Sequence, residues 1–213
     1  MPDLTLTPLA LSAFLATVVV MTLTPGPDMV LYLGKAISQS RRAGLISFAG
    51  AASGVLVHTL LAAIGLSALL AASATAFAIV KIAGAGYLLF LAYDAIRNGS
   101  SFAIATATIG EPAKTLYLKG LLVNLLNPKI VIFYLTLLPQ FVSADDPSPT
   151  TTLLYLGVAF IVIAAPICVA QILAASAIAR FLRRSVWAMR AVDFLFAGVM
   201  SAFAVKLALS DGR

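Results

Sequence analysis

Six apolar stretches, each about 20 residues or more, take up most of the 213 residues and leave only short loops between them. They run over Leu9–Leu33, Gly44–Leu70, Ala74–Ile96, Leu116–Leu138, Thr151–Ala177 and Trp187–Leu209. Each is long enough to cross a hydrocarbon layer of roughly 30 Å at about 1.5 Å per helical residue. A lipid-exposed backbone has no water to bond, so these stretches must be helices. The strict alternation of membrane barrel strands is absent. Charge points the same way: 10% of residues are charged and 62% hydrophobic, where a soluble domain carries roughly a quarter charged. The chain is expected to be an all-α integral membrane protein in contact with the lipid bilayer, with a single domain over 1–213 and no separate soluble one.

The net charge of +6 would in a soluble protein raise nucleic acid as a partner. Here the basic residues instead occupy alternate loops. Lys35, Arg41 and Arg42 follow the first span, and Arg97, Lys114 and Lys119 lie between or at the edges of the third and fourth. Arg180, Arg183, Arg184 and Arg190 accompany the loop between the fifth and sixth. The loop after span two has no basic residue, and Pro139–Thr150 carries only Asp145 and Asp146. By the positive-inside rule the three basic loops are cytoplasmic and both termini periplasmic, with Lys206 and Arg213 as a weaker opposing signal. One cysteine, Cys168, permits no intramolecular disulfide, and with a single histidine it makes a His/Cys zinc site implausible. No metal and no cofactor are expected. The segment Leu9–Thr24 lacks a basic leader and does not read as a cleaved signal peptide.

The halves resemble one another. Each has three spans, and proline interrupts the first span of each, at Thr24-Pro25-Gly26-Pro27-Asp28 and at Asn127-Pro128-Lys129. Aligning Pro27 with Pro128 sets Asp28 on Lys129, Tyr32 on Phe133 and Leu33 on Tyr134. Three being odd, the halves would enter the bilayer from opposite sides. The expected architecture is therefore two inverted three-helix repeats, about 1–98 and 110–213, with the first helix of each broken at proline.

A proline within a helix removes a backbone bond and crowds the preceding turn, and a bilayer tolerates the freed groups only beside protein or a wet cavity. A packed kink would satisfy this, but paired breaks at corresponding places point to a binding site. Asp28 and Lys129 sit at these breaks, each roughly 10–15 Å along a helix from a cytoplasmic-side lysine (Lys35, Lys119), so they can meet at similar depth. Two readings stay open. The charges could lock two helices as a salt bridge, or, with Asn127 and loose backbone groups, they could hold the ammonium and carboxylate of a zwitterion.

Four blocks in this order resemble the LysE/RhtB amino-acid exporters: Thr-Pro-Gly-Pro-Asp-Met at 24–29, Arg41-Arg42-Ala43-Gly44-Leu45, Gly84-Ala85-Gly86-Tyr87-Leu88, and Asn124-Leu125-Leu126-Asn127-Pro128-Lys129 with Leu138-Pro139-Gln140-Phe141. The resemblance covers nearly the whole chain in length and span plan, although nothing distinctive follows Phe141. It implies export of amino acids or close derivatives across a bacterial inner membrane, driven by the proton gradient. The matching positions, Pro25, Gly26, Pro27, Asp28, Asn124, Asn127, Pro128, Lys129 and Gln140, become the expected substrate-binding residues.

His58, midway along span two, is the candidate proton carrier, since histidine titrates near neutrality. A histidine bonded to a neighbouring helix is the simpler account of it. Asp193, three residues after Arg190, suggests a local helix-face pair, and Lys81 can snorkel outward. Gln171 and Cys168 are candidates to line a pathway, with packing the simpler account of Cys168. Gly50 and Gly54 make a Gly-x-x-x-Gly step suited to a close helix contact. An intramembrane enzyme is the first rival reading, but neither Gly-x-Ser-x-Gly nor His-Glu-x-x-His occurs. A passive channel is the second, and no charged ring or carbonyl filter is visible unless a homo-oligomer builds one.

Overall fold

A computed structural model describes residues 7–66, 74–98, 110–143, 146–175, 177 and 186–209, and every regular element among them is helical. The helices are α1 (Pro8–Leu23), α2 (Pro27–Ser38), α3 (Arg41–Leu61), α4 (Ala74–Asn98), α5 (Ala113–Leu125), α6 (Pro128–Ile132), α7 (Pro149–Leu173) and α8 (Val186–Leu209). A π turn, Ala62–Leu66, extends α3; a π turn (Phe133–Leu137) and a 3-10 turn (Leu138–Phe141) extend α6.

Local chemistry explains the ends. Thr7 accepts a bond from the amide of Ala10 at 3.2 Å and Pro8 opens α1, while the Pro25-Gly26-Pro27 run stops it. Pro27 then begins α2 and Pro128 begins α6, so each helix after a break starts on the proline that made it. Helix α3 starts at Arg41 rather than Gly44 because Ser40 caps the Ala43 amide at 3.1 Å. Four buried threonine hydroxyls are satisfied locally: Thr17, Thr22, Thr59 and Thr136 each donate to the carbonyl four residues back.

By length and composition, Arg41–Gly65 and Pro149–Leu173 can each cross a membrane. The first and fourth expected spans are bent pairs: α1 and α2 meet at 52°, α5 and the α6 segment at 48°. The side chains of Lys81 and Asp193, and the loop Arg180–Ser185, lie outside the described residues, and so does the Arg190–Asp193 pair.

Small residues let the helices approach. A Cβ on Gly50 would fall 2.0 Å from the Tyr117 carbonyl oxygen, and one on Gly120 would fall 1.9 Å from that of Ser47. The close contact anticipated at Gly50 and Gly54 is therefore with α5. Contacts advance together along the two helices, from Ser47–Gly120 to Gly54–Asn124, so α3 and α5 run parallel. Helix α7 runs the other way, with Gly44 against Ile172 and Gly157 against Thr59. One apolar cluster gathers Phe14, Phe133, Tyr134, Phe141 and Phe160; a second gathers Tyr32, Leu33, Cys168 and Ile172. The outward faces are apolar too, with Leu61, Ile64, Leu126, Val162 and Trp187 exposed, as helices facing lipid require.

The C-terminal end of α2 meets the start of α5 in a polar knot. Glu111 pairs with Lys35 and, at 2.6 Å, with Lys119, and it exchanges bonds of 3.2 and 3.1 Å with the side chain of Gln39. Two of the loops expected to be cytoplasmic are thus joined.

Candidate functional site

The first break leaves a specific backbone deficit. Pro25 has no amide proton for the carbonyl of Met21, its helical partner four residues back. Lys129, only 7% exposed, reaches across from α6 and donates its Nζ to Met21 O at 3.1 Å and to Thr24 O at 3.0 Å. The ammonium therefore caps the C-terminal end of α1, where the helix dipole favours positive charge. Gly26 makes room for it: a Cβ there would lie 3.0 Å from Nζ and 3.2 Å from Cε. Asn127 caps α6 by accepting from the Lys129 amide at 3.0 Å.

Asp28 stands in the first turn of α2, and its Oδ2 accepts from Asn124 Nδ2 at 2.7 Å. Asn124 fits against Gly54, where a Cβ would come within 2.5 Å of Asn124 Oδ1. The ion pair entertained between Asp28 and Lys129 is not formed: among the described residues the pairs within 4.0 Å are those of Glu111. Backbone carbonyls hold the ammonium, and an amide holds the carboxylate. Asn124 Oδ1 is buried beside them with no hydrogen-bond partner, and the Asn127 side chain also faces the Asp28 carboxylate, whose Oδ1 makes no bond within 3.5 Å.

A cavity of about 60 Å³, enough for several waters, lies between these groups and the second apolar cluster. Six helices contribute: Met21 and Thr22 from α1, Asp28, Met29 and Tyr32 from α2, and Phe48, Ala51, Ala52 and Val55 from α3. Asn124 from α5, Lys129 and Ile130 from α6, and Phe160, Ile161, Ala164 and Cys168 from α7 complete it. Asp28, Asn124 and Lys129 thus line one space. Pro25, Gly26, Pro27, Asn127 and Pro128 shape the breaks without lining it. Gln140 is apart from it and donates to Thr136 O at 3.1 Å.

His58 is buried, with Nε2 3.3 Å from the Asn124 carbonyl and its ring stacked on Tyr134 at 5.8 Å. It therefore contacts the neighbouring helix and touches the site through Asn124. Cys168 both packs in the second cluster and lines the cavity. Gln171 accepts from the hydroxyl of Tyr32 at 2.8 Å. Tyr32 was legible only as the residue four after Asp28, which places it on the same helical face. Phe48, Ala51, Ala52 and Ala164 carry no such signal.

A family model described as "LysE type translocator" matches residues 19–211. The chain is 32% identical over 151 residues to a homoserine/homoserine lactone efflux protein of Salmonella typhimurium, covering 71% of this chain and 73% of that one. It is 31% identical over 157 residues to a leucine efflux protein of Klebsiella pneumoniae, covering 71% and 68%. A threonine efflux protein of Escherichia coli is 29% identical over 132 residues, covering 58% and 62%. No solved structure matches the chain.

Proposed function

We propose, from the premise that this chain belongs to the LysE type translocator family, that it exports neutral amino acids or close derivatives across the bacterial cytoplasmic membrane. The observation carrying this reading is that Asp28, Asn124 and Lys129, from three helices, line one cavity at the two helix breaks. Asp28 Oδ1 and Asn124 Oδ1 are acceptors suited to a substrate ammonium. The remaining proton of Lys129 is a donor suited to its carboxylate, and Asn127 supports the site from behind by capping α6. A zwitterion entering this space would meet acceptors and a donor at complementary places. Pro25, Gly26, Pro27 and Pro128 serve by holding the breaks open, and Gln140 acts at most from a distance. The walls are otherwise apolar, in keeping with the homoserine, leucine and threonine of the relatives' names.

The architecture proposed with it has six spans in two inverted repeats and both termini periplasmic. The parallel run of α3 and α5, the opposed run of α7 and the paired bends at the two prolines support that threading. Transport is proton-coupled in this reading, with His58 as the candidate carrier.

Inverted membrane vesicles given labelled amino acids and an imposed proton gradient provide the test. The parent should accumulate substrate saturably, whereas a channel would give flux linear in concentration and an enzyme would give neither. Asp28→Asn and Lys129→Met should each reduce accumulation at least ~100-fold, the scale of losing a charged hydrogen-bond partner at about 3 kcal/mol. The double variant should reach the membrane and stay inactive. Loss of export only in step with loss of membrane-inserted protein would reduce the two charges to helix locks, each through its own partner. In the same vesicles His58→Asn should lose acceleration by the gradient while retaining exchange of preloaded substrate. Unchanged pH dependence would return His58 to a structural role.

A further inference from the structure

The cavity is not symmetric about its charges. Tyr32 follows Asp28 by one helical turn, about 6 Å along the axis of α2 and on the same face. Between these levels the walls recede to methyl groups, Ala51 and Ala52 on α3 and Ala164 on α7. At the level of Tyr32 the lining is an aromatic pair, Tyr32 and Phe48, packed edge to face at 5.8 Å. Tyr32 cannot swing aside freely. It is 4% exposed, its hydroxyl donates to Gln171 Oε1 at 2.8 Å, and it lies 3.6 Å from the Cys168 sulfur. No charged side chain other than Asp28 and Lys129 lines the cavity among the described residues.

We infer that Tyr32, braced by Gln171, is the floor of the subsite for the substrate's side chain and sets the largest one admitted. The inference rests on the reading of Asp28 and Lys129 as the headgroup site. A headgroup bound there directs its side chain into the alanine-walled space. Short neutral side chains fill it, lysine or glutamate would bury an unpaired charge, and phenylalanine would strike the floor. Tyr32 is thus a specificity-determining residue.

Cys168 is the only cysteine in the chain and lies at this floor, so it reports occupancy without any transport measurement. Purified full-length protein is treated with N-ethylmaleimide, and the rate of Cys168 alkylation is compared with and without each amino acid. Threonine and leucine should slow alkylation, while glycine, lysine and phenylalanine should leave it nearly unchanged. In Tyr32→Ala, phenylalanine should protect at a concentration at least ~10-fold lower than in the parent, the scale of selectivity in an apolar pocket. Ala164→Val narrows the space and should weaken protection by leucine more than by threonine, which keeps the test open if Tyr32→Ala does not fold. Equal protection by all sizes, no protection by any, or a ranking unmoved by both substitutions would overturn the inference. Size-ranked protection without vesicle accumulation would remove the export reading and leave the subsite standing.

Discussion

The carbonyl of Met21, deprived of its partner by Pro25, is served by the Nζ of Lys129, 108 positions further along the chain. Proline took the amide, and lysine restored a donor to a site where water is scarce. Each carbonyl orphaned by removing that donor costs about 1–3 kcal/mol, so Lys129 supports the fold as well as the proposed site. Glu111, outside the spans, is a charge with a different task. Donation from Lys119 and Lys35 holds its carboxyl down to about 2, against an ordinary 4.5. A carboxyl depressed in the folded state contributes stability that is present above its unfolded value and lost as pH falls through the folded one. Glu111→Gln should therefore lower the melting temperature at neutral pH, modestly, because the side chain is 19% exposed and solvent screens it. The gap between parent and variant in detergent should close between about pH 4.5 and 2. A gap constant across that range would mean that the ion pairs do not contribute to stability.

Helices α3 and α5 owe their contact to absent side chains. Without Gly50, Gly54 and Gly120 the backbones could not approach, and Asn124 would be pushed away from Asp28. Close packing of small residues substitutes for a hydrophobic driving force that lipid does not supply between helices. Gly120→Ala should separate the two helices and destabilise by about 1–3 kcal/mol or more, since the new Cβ meets a backbone oxygen that cannot rotate away. Gly86→Ala on α4 is the matched control, with nothing within 4 Å of the added Cβ, and should be neutral or slightly stabilising. Thermal melts of the two variants in one detergent decide it. Equal melting temperatures would show that α3 and α5 are not packed this closely.

At the scale of the molecule, two apolar clusters flank a layer in which Asp28, Asn124 and Lys129 meet, and the polar knot at Glu111 closes the end bearing Lys35, Arg41 and Arg42. A charged layer within an apolar bundle is stable only where each group finds a partner, so its position follows from the two breaks. Orientation in the membrane follows from the loops. Reporters fused after Ser73 and after Asp146 should be periplasmic, and one fused after Ser185 cytoplasmic. A cytoplasmic signal after Asp146 would overturn the six-span threading with both termini outside.

Helical class, the places of both breaks, and Asp28 and Lys129 as the residues of interest could be read from the linear chain. Runs of apolar residues and prolines act over one or two turns, so their consequences are local and visible in order. The partners of those charges could not be read that way. Opposite signs at equal depth leave a salt bridge and a zwitterion site both open, whereas in the structure Lys129 caps α1 and Asp28 bonds Asn124. The choice between a carboxylate and two carbonyls at similar range depends on where three helix ends come to rest, which only their packing decides. Likewise Tyr32, Phe48 and the alanines that shape the cavity look like any apolar lining residues in sequence. They become a pocket because α2, α3 and α7 converge there, and the glycines along the helix crossings set how closely.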